Sequence, residues 1–317
     1  WITVENGMPV LISFSEYAKD AGELSPLHLW IRNTVSPKVT LRISQEVHNS
    51  DTKVFQQGGY TDGHYFWQAY ITEKAYTTDA AGKKVEDIPN NRCKIVKTDL
   101  TGVEEPKYSE ELFGGHVNDI TYNEKTKQLI VCTMNKNMEL MFLDPDTLEE
   151  KERKDLTTYI NNIDYNETRD RYVVGYVTET NTDENLGPLG GDFRRFGIMN
   201  SDFTFTEEKF VPKSDTWDYV GQGVACDDKY IYMILSENKG VSLNPIIAVY
   251  DWEGNFVNRI NLTIPVDTDG IGGIKEADFS GVEAENISVV GNTIYIGVAV
   301  GNKTTNQRKV MAYSFTR

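Results

Sequence analysis

Two glutamates one residue apart, Glu283 and Glu285, are the residues in this sequence best suited to do chemistry. Carboxylates that close together repel, and each raises the other's affinity for a proton. Such a pair would accept hydrogen bonds from sugar hydroxyls, hold a cation, or share a proton. With His116 they form the candidate catalytic group. Around them stand side chains suited to binding a polar ligand: Gln57, Asn118, Asn161 and Gln222 as amides, Tyr159 and Trp217 as aromatic platforms, and Arg194 as a cation. Aromatic faces stack on the apolar face of a sugar ring while amides and carboxylates meet its hydroxyls. These residues span more than half the chain, so the fold must bring them together.

A repeat does so. Five segments align without gaps: Gln57 to Asp62, Asn118 to Asn123, Asn161 to Asn166, Gln222 to Asp227 and Glu285 to Val290. Each starts with a polar residue and reads as a strand, here strand A. A tight polar turn follows each one, then an apolar strand B rich in β-branched and aromatic residues, as in Gln128 to Met134 and Thr293 to Val300. A third strand and a hairpin to a fourth recur. Asp144-Pro145-Asp146-Thr147 and Asp251-Trp252-Glu253-Gly254 at the hairpins are turn chemistry. The aligned starts at 57, 118, 161, 222 and 285 are 61, 43, 61 and 63 residues apart. Four-stranded units of this length are propeller blades, the longer ones carrying insertions. The insertions run from Thr72 to Asn91, Thr178 to Arg195 and Pro265 to Val282.

The fifth unit ends after its third strand, Val310 to Phe315, while Lys38 to Ser44 alternates as a strand ahead of the first unit. The N-terminal strand is therefore expected to complete the last blade, which removes exposed sheet edges. The expected fold is an all-β, five-bladed propeller over residues 36–317, with 1–35 as an N-terminal extension containing two strand-like runs, Val10 to Ile12 and Leu27 to Ile31. In that geometry the five A strands line a central channel and start at one mouth, with Gln57, Asn118, Asn161, Gln222 and Glu285 around it. A ring of Gln and Asn would also serve simply to hydrate a channel.

Composition narrows the function. A net charge of −16 argues against nucleic acid, whose phosphates need a basic surface. No apolar run reaches the length of a membrane helix. Cys93, Cys132 and Cys226 have neither metal-ligand spacing nor the even number of a disulfide framework, and read as small buried residues. Asp267-Thr268-Asp269-Gly270 opens like a calcium loop but lacks the distal glutamate. No metal site or cofactor is expected, a cation in the central channel being the single option kept. Gly187 to Asp192 followed by Arg194-Arg195 reads as a flexible loop able to clamp an anion. There is no P-loop, HExxH or GxSxG motif. The first residue is Trp1 rather than Met, consistent with a removed leader or a cloning boundary.

The run Gln57-Gly58-Gly59-Tyr60-Thr61-Asp62-Gly63-His64-Tyr65, together with Glu283-Ala284-Glu285-Asn286-Ile287, resembles a group of bacterial five-bladed propellers. That group includes proteins labelled teichoic acid biosynthesis protein C and the propellers of phage receptor-binding proteins. The resemblance covers residues 38–317 as architecture and implies recognition of glycan or polymer at a cell surface. The expectation is thus an extracellular or cell-surface monomer that binds carbohydrate or another polar polymer at the channel mouth. Two alternatives stand beside it. A glycoside hydrolase needs carboxyls facing one another across the scissile bond, about 5–9.5 Å apart, and the blades opposite Glu283 and Glu285 offer amides. A protein-interaction scaffold would present an apolar patch instead.

Overall fold

Short side chains that fold back on their own backbone divide the chain into strands. In the first A–B turn, Asp62 Oδ1 accepts from His64 N and Tyr65 N, both at 2.8 Å. Asn123 Oδ1 does the same for Lys125 N and Thr126 N, and Asp227 Oδ1 for Lys229 N and Tyr230 N. Asn166 Oδ1 accepts from Arg169 N, while the fifth turn uses Gly291 at φ 56°. The C–D hairpins follow the same rule: Asp144 Oδ1 accepts from Asp146 N and Thr147 N, and Asp251 Oδ1 from Glu253 N and Asn255 N.

The structure, a computed structural model, describes residues 2–5, 8–11, 40–47, 56–133, 139–156, 160–176, 193–212, 219–237 and 239–317. Between the turns lie five antiparallel sheets. An N-terminal hairpin, β1 (Ile2–Glu5) with β2 (Met8–Leu11), precedes β3 (Thr40–Val47). Blade 1 holds β4 (Gln56–Thr61), β5 (Tyr65–Glu73) and β8 (Arg92–Asp99), with a small hairpin of β6 (Tyr76–Thr78) and β7 (Lys84–Glu86) inserted before β8. Its outer edge is split into β9 (Lys107–Tyr108) and β10 (Leu112–Phe113), both paired with β8. Ser109 bridges the split: its hydroxyl accepts from Ile95 N and its amide donates to Ile95 O.

Blade 2 is β11 (Asp119–Asn123), β12 (Gln128–Cys132), β13 (Glu139–Leu143) and β14 (Glu150–Asp155). Blade 3 is β15 (Ile160–Asn166), β16 (Arg171–Tyr176), β17 (Phe193–Asn200) and β18 (Phe205–Pro212). Blade 4 is β19 (Tyr219–Cys226), β20 (Tyr230–Glu237), β21 (Ile246–Asp251) and β22 (Phe256–Asn261). Blade 5 runs β23 (Phe279–Val290), β24 (Thr293–Asn302), β25 (Arg308–Thr316) and then β3, in that order. The register places Ser314 opposite Thr40 and Arg308 opposite Val47. The N-terminal strand therefore completes the last blade, a few residues displaced from the expected Lys38–Ser44.

Each blade buries both faces against its neighbours, which is why the B strands read as continuous apolar runs rather than alternating ones. Between blades 2 and 3, Ile130, Leu140 and Phe142 pack on Ile163, Tyr172 and Val174. Between blades 4 and 5, Ile234 and Ile247 pack on Val282, Ile296 and Val298. The three cysteines are buried, and none forms a disulfide among the described residues.

Three expected loops are corrected. The Pro265–Val282 insertion stops earlier, because Phe279 to Val282 already extend β23. The Thr72–Asn91 insertion contains the β6–β7 hairpin. Arg194 and Arg195 lie not in a loop but on β17, opposite Val211 and Phe210, because pairing with β18 extends the strand back to Phe193. The Leu27–Ile31 run lies outside the described residues.

Candidate functional site

The A strands β4, β11, β15, β19 and β23 pack on one another in sequence, and β23 returns to β4, closing a ring. Polar bonds stitch each blade to the next. Gly58 N donates to Val117 O at 2.9 Å between blades 1 and 2. Asp119 Oδ2 accepts from Ile163 N at 3.2 Å, and Thr121 Oγ1 donates to Asp164 Oδ1 at 2.9 Å, between blades 2 and 3. Asn162 Nδ2 donates to Gln222 O and Asp164 Oδ2 accepts from Cys226 N, between blades 3 and 4. Ser236 Oγ exchanges bonds with Ala284 O and N between blades 4 and 5. Thr61 N donates to Ser288 Oγ at 3.1 Å, between blades 1 and 5. The bonds that join two A strands link positions at nearly equal distances from the aligned strand starts. The strands therefore run side by side in the same direction, and their starts share one end of the ring.

At that end four of the A strands break register in the same place, and the residue ahead of the fifth, β11, departs from its ladder. Pairing passes from Ile160 to Asn162, from Gly221 to Gly223 and from Ala284 to Asn286, leaving Asn161, Gln222 and Glu285 as extra residues. In β4, Gln57 and Gly58 fall together between the paired Gln56 and Gly59. Ahead of β11, Asn118 N donates to the carbonyl of Cys132, the residue already paired with Asp119. These five extra residues are the five polar residues aligned in the sequence. A β-bulge turns its extra side chain out of the regular ladder, so one polar group per blade is re-aimed at the same end. Gly58 is required beside its bulge: a Cβ there would lie 2.4 Å from Asp119 Cα.

The bulge residues make few bonds among themselves. His116 Nδ1 and Asn118 Oδ1 are 3.0 Å apart. Gln57 Nε2 donates to Gln56 O, and Gln222 Nε2 donates to Glu283 Oε1 across blades 4 and 5. Asn161 Oδ1 is buried without a partner among the described residues. Tyr159 and Trp217 lie outside the described residues, and only the backbone of Arg194 is described.

Beside the ring end, between blades 5 and 1, lies a cavity of about 50 Å³ lined by Gln56, Glu283, Glu285, Gly281, Gly301 and Arg308, among others. His116 is not part of its lining. Burial pushes the Glu285 carboxyl well above the ordinary carboxylate range, and the charge of Glu283 raises it further; burial alone raises Glu283. The two glutamates both come from β23, and no third carboxyl lines the cavity. That is the wrong arrangement for a pair of hydrolytic acids on opposite sides of a glycosidic bond and a suitable one for holding a polar group.

Further along the ring lies a second set of acids, of which Asp164 and Glu124 went unrecognised in the sequence. Burial raises Asp164 to about 6 and Glu124 to about 7. Asp119 is raised well above its usual range by burial, against bonds from Ile163, Ile120 and Val224. Burial and the charges of Glu124 and Asp164 push Tyr60 up as well. Asp164 gives both oxygens to neighbouring blades and Asp119 one, the other accepting from Ile120 N on its own strand, so their role is to join blades. Gln56, the other missed residue, stands next to the aligned Gln57. Among the described residues, no group of three or more His, Cys, Asp or Glu is placed to hold a metal ion. Asp267 to Gly270 form a tight turn in which Asp269 N donates to Asp267 Oδ1.

No protein-family model matches the chain, and no curated protein matches its sequence. Solved structures do match its fold. The tail fibre of Staphylococcus aureus phage P68 aligns with a TM-score of 0.55 at 12% identity, over 88% of this chain and 53% of the fibre chain. The chain thus spans about half of that fibre. Looser matches include the nidogen/laminin complex, with a TM-score of 0.42 at 8% identity over 80% of this chain and 78% of the other. Another is the Neurospora crassa Pan2 WD40 domain, at 0.39 and 8% over 90% and 98%. At these identities the likeness concerns the propeller fold alone.

Proposed function

We propose that this propeller binds a polar ligand, a carbohydrate or another hydroxyl-rich polymer, at the bulged end of its A-strand ring. The observation that carries the reading is the repeated bulge, which turns Gln57, Asn118, Asn161, Gln222 and Glu285 out of their ladders at one end of a rigid ring. Bulges cost ladder hydrogen bonds, and four at equivalent positions, with a matching departure ahead of β11, fit a common binding face better than separate irregularities. Amides and a carboxyl suit hydroxyls, which both donate and accept. His116 and Glu283 extend the same surface, and Tyr159, Trp217 and Arg194 are proposed as its outer contacts.

The role is binding rather than turnover, since the two cavity carboxyls share one strand. Fold likeness to a phage tail fibre and the sequence resemblance to surface-acting propellers support a site of action at a cell surface. The test is a glycan array probed at fixed salt with the parent protein and with Gln222→Ala. The reading expects a restricted set of bound glycans and at least a tenfold weaker signal from the variant. An empty array, or equal signals from the two proteins, would overturn it.

A further inference from the structure

The cavity between blades 5 and 1 brings a buried amide without partners beside two carboxyls of one strand. Gln56 is 2% exposed, and neither its Oε1 nor its Nε2 has a partner among the described residues. Glu285, 7% exposed, lines the same space. Burying the Gln56 amide without partners costs on the order of 1–3 kcal/mol, a cost that a bound ligand relieves. Glu283 supplies a further carboxyl to the same space. Of the two cationic side chains in the lining, Arg308 donates through Nη1 to Ser280 Oγ at 2.9 Å, its Nε being buried without a hydrogen bond among the described residues, and Lys309 Nζ donates to Gly272 O at 2.6 Å.

We propose that this cavity is a subsite for a primary ammonium group with a neighbouring hydroxyl, the pattern of a 2-amino-2-deoxy sugar with a free amine. The proposal rests on the carbohydrate reading above and names the substituent that the site selects. An ammonium group has three N–H donors and no acceptor. The cavity offers three acceptors, the carboxylates of Glu283 and Glu285 and the amide oxygen of Gln56. Gln56 Nε2 remains to donate to the adjacent hydroxyl oxygen. A hydroxyl in place of the ammonium has a single proton to give and leaves two of the three acceptors unserved. An acetamido group offers one N–H and brings a carbonyl and a methyl into a space of about 50 Å³, room for only a few water-sized groups. The sugar ring itself stays outside, at the bulged end.

Burial and the charge of Glu283 favour the protonated form of Glu285, and a bound ammonium group, by compensating the negative charge, draws that proton off. The titratable and charged groups lining the cavity are Glu283, Glu285, Arg308 and Lys309. The test is calorimetry of the parent protein with glucosamine, glucose and N-acetylglucosamine near neutral pH, in two buffers of different ionisation enthalpy. The proposal expects glucosamine to bind at least tenfold tighter than either comparison sugar, with a buffer-dependent enthalpy marking proton release. Glu285→Gln, which keeps the shape, should lose both the preference and the proton release. Equal binding of the three sugars would overturn the ammonium subsite while leaving carbohydrate binding at the bulged end intact. Failure of all three to bind at ~10 mM would overturn it too. In that case the glycan array decides separately whether the wider reading stands.

Discussion

Asp164 offers the most quantitative check on how the blades are joined. Part of the residue reaches solvent, but its carboxyl sits between blades, accepting from Thr121 Oγ1 at 2.9 Å and Cys226 N at 2.7 Å. Burial holds it at about 6, against about 3.9 for an aspartate in an unfolded chain. The folded protein therefore keeps a proton on Asp164 that the unfolded chain has lost. The stability this contributes is fully present below about pH 4 and disappears as pH rises through about 6. A gap of about two units corresponds to about 3 kcal/mol as an upper bound. In Asp164→Asn the side chain no longer titrates, and one of its two accepted bonds is lost at about 1 kcal/mol. Urea unfolding of both proteins at pH 4 and pH 7 isolates the effect, because other carboxyls contribute equally to each. The stability advantage of the parent over the variant should shrink or reverse by up to about 3 kcal/mol between those pH values. An advantage independent of pH, or growing with it, would refute the placement of this carboxyl.

Two further outcomes follow from the packing. Gly58→Ala forces a Cβ to 2.4 Å from Asp119 Cα and 2.5 Å from its amide nitrogen. Both are backbone atoms, so the substitution should destabilise by about 1–3 kcal/mol or more, read as a lowered Tm; an unchanged Tm would contradict the close approach of blades 1 and 2. Burial pushes the Cys93 thiol up to about 12 and raises Cys226, while Cys132 Sγ donates to Ile160 O at 3.2 Å. A thiol-specific disulfide reagent at mildly alkaline pH should therefore label none of the three until the protein unfolds; rapid labelling of native protein would place a cysteine at the surface.

The blade plan was legible in the sequence because each element is written locally. Asp62, Asn123, Asn166 and Asp227 announce turns by chemistry that needs no partner strand, and the apolar B strands follow them. Ring closure could be inferred from a deficit, the missing fourth strand after Phe315. The bulges were not legible as bulges. Alignment found Asn161, Gln222 and Glu285, but whether one residue or two face a single partner is decided by pairing with the next strand. Gln56 was missed for the same reason: beside Gln57 it looks equivalent, and only the bulge decides which of the two points into the cavity. Asp164 looked like an ordinary polar residue in a half-solvated strand, because its partners Thr121 and Cys226 lie on other blades. Arg194 was placed in a loop because the glycine run before it dominated the local pattern.

The account depends most on five polar side chains acting together at one end of the ring. Selective ¹⁵N labelling of Asn and Gln side-chain amides, followed by titration with a glycan that the array identifies, tests this directly. The account predicts that resonances of Gln57, Asn118, Asn161 and Gln222 shift together along a single saturation curve while Asn255, on a C–D hairpin, stays still. Saturable shifts confined to Asn255 and its surroundings, with the four bulge amides unmoved, would contradict it.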